Sequence, residues 1–210
     1  LDRQEWVVDL RTRTAVIQGH VSGTYNFGVD GSFVTYLGWL FPYGTPLTLL
    51  GDTPEQVQEA QRGLVRIGID RVERMGVGQA SDWTVDGLET TAVGSFAEVP
   101  AALAAGDLLV DVRRNSEYRH AHIEGALHVP LHELLARMHE LPRSRRIWVH
   151  CESAYRASIA VSVMQAAGLD VVMVSEPFAS ARLVPARTIV EGADVHATVA
   201  PSDLGITADV

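Results

Sequence analysis

Short apolar runs separated by amphipathic stretches set the pattern of this chain. Leu108-Leu109-Val110-Asp111-Val112 reads as a short buried strand, and Ala126-Leu127-His128-Val129 as a second. Ile147-Trp148-Val149-His150 reads as a central strand and Val171-Val172-Met173-Val174 as another. Between them the spacing predicts helices over 96–105, closed by Gly106, over 131–141, and from Ser158 to Ala167. In the second of these, Leu134, Leu135, Met138 and Leu141 share one face. Strand and helix alternate, which predicts an α/β fold with a mainly parallel sheet covered by helices.

The pattern occurs twice. Val8-Asp9-Leu10-Arg11 matches Val110-Asp111-Val112-Arg113, and His20-Val21-Ser22-Gly23 matches His122-Ile123-Glu124-Gly125, both 102 residues on. Leu47-Thr48-Leu49-Leu50 matches Ile147 to His150, and Gly68-Ile69-Asp70 matches Gly168-Leu169-Asp170, now 100 residues on. Two similar units in tandem are expected, over 1–80 and 92–176, joined near Ala80 to Ala92, with a tail over 177–210. Leu1 aligns with Leu103, so the first unit is expected to be incomplete at its start and the chain to be part of a longer protein. In the tail, Ile189-Val190 and Val195 to Val199 could form strands. Tyr25 to Tyr43 holds half of the chain's aromatics; local core is the plainer expectation, and a docking surface the sharper one.

One stretch carries chemistry. The strand ending at His150 runs into Cys151-Glu152-Ser153-Ala154-Tyr155-Arg156, followed by a helical pattern. Successive backbone N–H groups in such a loop can converge on one point, and the helix dipole adds positive character there. A thiol at that point is expected to have a lowered pKa and to act as a nucleophile, with Arg156 adding positive charge. The first unit has Gly51 and Gln56 at the matching positions, with Asp52 and Pro54 between them, and no thiol. It is expected to be silent. Asp111, Arg113 and His122 recur as Asp9, Arg11 and His20 in that silent unit, which favours a supporting role for all three.

Cys151-x4-Arg156-Ala157, with Asp111-Val112-Arg113 and His122-Ile123-Glu124-Gly125-Ala126, resembles the rhodanese family of sulfurtransferases. The resemblance covers about residues 1–176, as two tandem rhodanese-like domains. It implies transfer of a sulfane sulfur from thiosulfate or a low-molecular-weight persulfide to a thiol or cyanide through a Cys151 persulfide. Glu152, Ser153, Ala154 and Tyr155 would form the substrate-binding loop, and no cofactor is implied. Two positions depart from the family: Ala154 stands where glycine is common, and the acidic Glu152 where many members are neutral or basic. A silent unit followed by an active one is similar to the C-terminal part of metallo-β-lactamase–rhodanese fusions, so an upstream domain of that kind is a possible partner in a longer chain. Rival readings are a non-enzymatic docking module and a phosphatase; related phosphatases use a loop one residue longer.

Composition narrows the partners. A formal net charge of −9 argues against nucleic acid, and no apolar run is long enough for a membrane span. The single cysteine excludes an internal disulfide and fits a reducing, cytoplasmic setting. Histidines 120, 122, 128, 132 and 139 invite a metal reading, with His120 and His122 expected on one strand face, but no Cys or carboxylate pattern completes a ligand set. No metal is expected.

Overall fold

The computed structural model describes residues 5–29, 32–184 and 189–191. The first half runs β1 (Trp6–Asp9), α1 (Arg13–Gln18), β2 (Tyr25–Asn26), α2 (Phe33–Leu40), β3 (Leu47–Gly51), α3 (Pro54–Val65) and β4 (Val72–Val77). The second runs β5 (Ala92–Gly94), α4 (Val99–Ala104), β6 (Leu108–Asp111), α5 (Asn115–His120), β7 (Ala121–Ile123) and β8 (Leu127–His128). It continues with α6 (Leu134–Arg137), β9 (Ile147–His150), α7 (Tyr155–Ala166), β10 (Val171–Val174) and β11 (Ile189–Glu191).

The first sheet has the order β2-β1-β3-β4 and the second β5-β10-β9-β6-β8, with every pairing within them parallel. Read from the other edge, the second sheet repeats the first as β8-β6-β9-β10 and adds β5. The repeat seen in sequence is therefore a repeat of topology. It extends to backbone detail: Gly23 and Gly125 both take φ 77°, and Gly68 and Gly168 take φ 80° and 78°. These left-handed turns suit glycine, which has no Cβ to clash.

Side chains in the second sheet alternate between two cores. Val110, Ile147, Val149, Val171 and Met173 face one, and Leu109, Trp148, Val172 and Val174 the other. Nearly every residue of α7 is buried, because the helix lies between the second sheet and the edge strand β2 of the first half. An edge strand leaves backbone donors without a ladder partner. Here the Asn26 amide donates to Ser162 Oγ of α7 at 2.9 Å. Ser162 in turn donates to the Ile159 carbonyl at 2.8 Å.

Several expectations change. The helix expected over 131–141 is a short α6 between two tighter 3-10 turns, Leu131–Glu133 and Met138–Glu140. Leu134 and Leu141 are buried but Leu135 is exposed, so four apolar residues at helical spacing do not make one continuous face. His120 and His122 do not share a strand: His120 ends α5 and His122 lies in β7. Among the described residues, no group of His, Cys, Asp and Glu gathers as a metal site. The aromatic stretch is mainly core, with Tyr25, Phe27, Phe33, Tyr36 and Phe41 buried, whereas Trp39 and Tyr43 are exposed. The tail does not begin at 177 as a separate piece. Phe178 is buried in the second half's core, and β11 pairs antiparallel with β7. The strand expected at 195–199, and Asp30 and Gly31, lie outside the described residues.

Candidate active site

The Cys151 loop leaves the C-terminal end of β9, between its neighbours β6 and β10. Strand C-terminal ends are where such sheets place ligands. Ala154 turns the chain with φ 67° and ψ −13°, the one non-glycine with positive φ among the described residues. This is the position where the sequence departs from glycine, and the backbone keeps the left-handed turn nonetheless. That turn brings loop amides back onto the sulfur. Ala157 N donates to Cys151 Sγ at 3.3 Å, and the amides of Ser153 and Arg156 also point at it.

The expected lowered thiol pKa is not found. Cys151 is fully buried, and burial pushes the thiol above its ordinary value. The amides of Ala157, Ser153 and Arg156, with the Arg156 guanidinium, pull the other way without overcoming it. Arg156 is also not a free cation. Its guanidinium forms a two-pronged pair with Glu117, Nη1 at 2.6 Å and Nη2 at 2.7 Å. Burial opposes the Arg156 charge, but Glu117 and the sulfur more than compensate and hold it charged. Burial likewise pushes the Glu117 carboxyl up, but Arg156 and the Arg114 amide bring it below its ordinary value. Sequence reasoning does not find Glu117, because it lies 34 residues before the loop, in a helix with no periodic signal of its own.

Beneath the loop sits a buried ion pair. Arg113 Nε reaches both oxygens of Asp111 at 3.0 Å, and Nη2 reaches Oδ2 at 2.8 Å. Nη2 also donates to the Ala121 carbonyl at 2.7 Å, and Nη1 reaches Glu152 at 3.4 Å. Burial pushes the Asp111 carboxyl up, but His150 and the Arg113 guanidinium and amide outweigh it and hold it below the ordinary range. The Arg113 guanidinium lies over the Phe178 ring, 3.6 Å from its centroid, and His150 stacks on the same ring. Phe178 N closes the shell by donating to the Glu152 carbonyl at 3.0 Å.

The structure places the predicted residues as follows. Cys151, Arg156 and the loop 152–155 form one constellation, with Asp111 and Arg113 bracing it. Ser153 contributes its amide, and Tyr155 turns outward to donate from its hydroxyl to the Gly28 carbonyl of the first half at 2.7 Å. His122 is a turn-holder: its Nδ1 meets the Tyr118 carbonyl at 2.9 Å and its ring stacks on Tyr118. A cavity of about 210 Å³ opens beside the loop, walled by Arg113, Glu117, Glu152, Phe178 and Arg182 among others.

Residues 95–178 match the family model of the rhodanese-like domain. The match spans the Asp111-Arg113 pair, Glu117, the Cys151 loop and Phe178. Over 78 residues the chain is 41% identical to the HTH-type transcriptional regulator Rv0324 of Mycobacterium tuberculosis, covering 36% of this chain and 34% of that one. It is 34% identical over 61 residues to a sulfurtransferase of Allochromatium vinosum, covering 29% of this chain and 57% of that one. The thiosulfate sulfurtransferase of Pseudomonas aeruginosa aligns with 90% of this chain, and 41% of its own, at 21% identity and a TM-score of 0.44. The chain thus spans about a third to just over half of the length of these curated relatives. Residues 95–178 are thus similar to rhodanese-like domains, and no helix of the described residues is long and apolar enough to cross a membrane.

Proposed function

We propose that the chain is a sulfurtransferase of two tandem rhodanese-like units, the first silent and the second carrying sulfur on Cys151. The observation that carries this reading is the convergence of the Ser153, Arg156 and Ala157 amides on Sγ. Three donors aimed at one sulfur suit a group that alternates between thiolate and persulfide anion. The Cys151 thiolate attacks the outer sulfur of thiosulfate, a new S–S bond forms, and sulfite leaves with the electrons of the old one. A low-molecular-weight persulfide donor would release its thiolate in the same way. Cyanide or a thiol then attacks the terminal sulfur, and the Cys151 thiolate departs. Glu117 holds Arg156 beside the sulfur, so the cation stabilises the anionic states without turning outward.

The five-residue step from Cys151 to Arg156 also bears on phosphorus chemistry. The loop closes on one sulfur atom and is one residue shorter than the phosphatase pattern. A fully buried thiol with a raised pKa, and an arginine already paired, favour a second reading as a docking module. Intact mass after incubation with thiosulfate or glutathione persulfide separates the two. The enzyme reading expects a gain of about 32 Da that is absent from Cys151→Ser. Because the thiol sits above its ordinary value, the uptake rate should climb about tenfold per pH unit through neutrality. No gain with any donor at pH 9 would leave the docking module.

A further inference from the structure

A second groove lies on the far side of α5 from the sulfur. It has a volume of about 550 Å³ and is lined by Trp39 of α2 with Arg114, Asn115, Ser116, Arg119 and His132. The size falls within the range of small-molecule sites. Its wall is an indole, and Trp39 is 39% exposed. The Arg114 guanidinium lies 5.8 Å from the Trp39 ring centroid, and the His132 ring stands edge-on at 5.6 Å. In a chain of net charge −9, two arginines and an imidazole converge here. The carboxylates on the same elements are engaged, Glu117 with Arg156 and Glu133 with Arg137 and His132. The Arg114 and Arg119 guanidinium groups have no carboxylate partner among the described residues, although the Arg114 backbone amide donates to Glu117 at 3.0 Å.

A smaller cavity of about 320 Å³ in the first half shares part of this lining: Thr12, Arg13 and Thr14 align with Arg114, Asn115 and Ser116 at the 102-residue offset, whereas Leu10, Gly28, Val29 and Gln56 set it against the first half's own loop. Each is closed by an aromatic from the other half, Tyr155 for the first and Trp39 for the second. Only the second combines an indole face with two guanidinium groups. An indole face takes a planar aromatic ring, and paired guanidiniums take phosphate oxygens in forked geometry. Asn115 and Ser116 add hydrogen-bonding groups between the two.

We propose that this groove binds a nucleoside phosphate, with the base stacked on Trp39 and the phosphate held by Arg114 and Arg119. The site adjoins the sulfur loop through aromatic contacts. Trp39 packs on Tyr36 at 5.1 Å, and Tyr36 on Tyr155 of the loop at 5.7 Å. Binding at the groove does not require sulfur chemistry at Cys151.

The test is calorimetric titration of the whole chain with ADP. One saturable site is expected. Trp39→Ala should weaken it about tenfold, Trp39→Phe should keep most of the affinity, and the double variant Arg114→Gln/Arg119→Gln should lose it. Both arginines are exposed, so the double variant keeps the assignment testable even where Trp39→Ala perturbs folding. Ribose 5-phosphate, which lacks the base, should bind more weakly than ADP. Cys151→Ser should bind ADP as wild type does. Absence of binding at millimolar ADP, or binding indifferent to both the tryptophan and the arginine changes, overturns the assignment. Sulfur uptake without ADP binding removes the groove proposal alone, whereas ADP binding without sulfur uptake removes the proposed function alone.

Discussion

The two halves share a frame and differ in what the frame encloses. In the first, Arg11 Nε meets both oxygens of Asp9 at 3.0 and 3.1 Å, and Nη2 reaches the Gly19 carbonyl at 2.9 Å. In the second, Arg113 makes the same contacts with Asp111 and Ala121. Each guanidinium is covered by an aromatic from the 3-10 turn after the last parallel strand, Trp83 at 5.3 Å and Phe178 at 3.6 Å. His20 and His122 each meet the carbonyl four residues back at 2.9 Å. The loops then diverge. Gln56, where the second half has Arg156, folds back so that Oε1 accepts from Asp52 N at 2.8 Å and Nε2 donates to the Leu10 carbonyl at 3.0 Å. In the first half the loop amide side chain is taken up by backbone groups, whereas in the second the loop amides aim at a sulfur. The ion pair, present in both, belongs to the fold, and in the second half alone it also reaches the sulfur loop, through Arg113 and Glu152.

Breaking the ion pair in either half tests that claim most severely. Asp9→Asn and Asp111→Asn each leave a buried arginine without its countercharge, for which a loss of about 3–5 kcal/mol is expected in urea unfolding. Asp111 adds a pH signature. Its carboxyl is held below the ordinary value, so its contribution is complete above the unfolded pKa of about 3.9 and disappears as pH falls through the lower folded value. On the proposed function only Asp111→Asn should also slow sulfur uptake, because of the two arginines Arg113 alone reaches the Cys151 loop, at Glu152. A neutral Asp9→Asn would show that the two frames are alike in shape but not in energy.

The next largest effect concerns the missing thiol. A Cβ built at Gly51 would lie 2.7 Å from Gln56 Oε1 and 2.9 Å from Val57 Cγ2. Gly51→Cys should therefore cost about 1–3 kcal/mol by overpacking. The introduced thiol is buried, as Gly51 is, so it should titrate above the ordinary value of about 8.5 and gain no sulfur, since the first-half loop lacks the arginine and Pro54 lacks a donor N–H. Mass gain at the introduced thiol comparable to that at Cys151 would mean that the frame alone activates a thiol.

Much of this comparison was legible in the sequence. Asp-x-Arg and His-x-x-Gly repeat at a fixed offset, and β9 and β10 fall on the apolar runs that predicted them. What stayed hidden depends on contacts distant in sequence. Glu117 and Phe178 reach the site from 34 residues before and 27 residues after Cys151, and neither belongs to a repeated motif. The thiol's pKa departs from expectation because converging amides can be read from a loop pattern, whereas the depth of burial cannot. The 131–141 segment breaks up because spacing shows which residues could share a face, not whether tertiary packing keeps the helix continuous.

The smallest effect sharpens the comparison at a single turn. Ala154 holds φ 67° although its Cβ disfavours that region by about 1–2 kcal/mol. The matching residue in the first-half loop is Pro54, whose ring fixes φ near about −65°, so that loop cannot make the same turn. Ala154→Gly relieves the strain. It also frees the unfolded chain by about 0.4–1 kcal/mol and gives up a buried methyl. These terms nearly cancel, so a net gain of no more than about 0.5 kcal/mol is expected in thermal unfolding. The amides still converge on Sγ in the glycine variant, so sulfur uptake should stay within about twofold of wild type. A loss of stability above about 1 kcal/mol would show that the methyl's packing outweighs the strain. A large fall in uptake with stability unchanged would show that the methyl holds the amides on the sulfur, a role that Pro54 of the first-half loop could not supply.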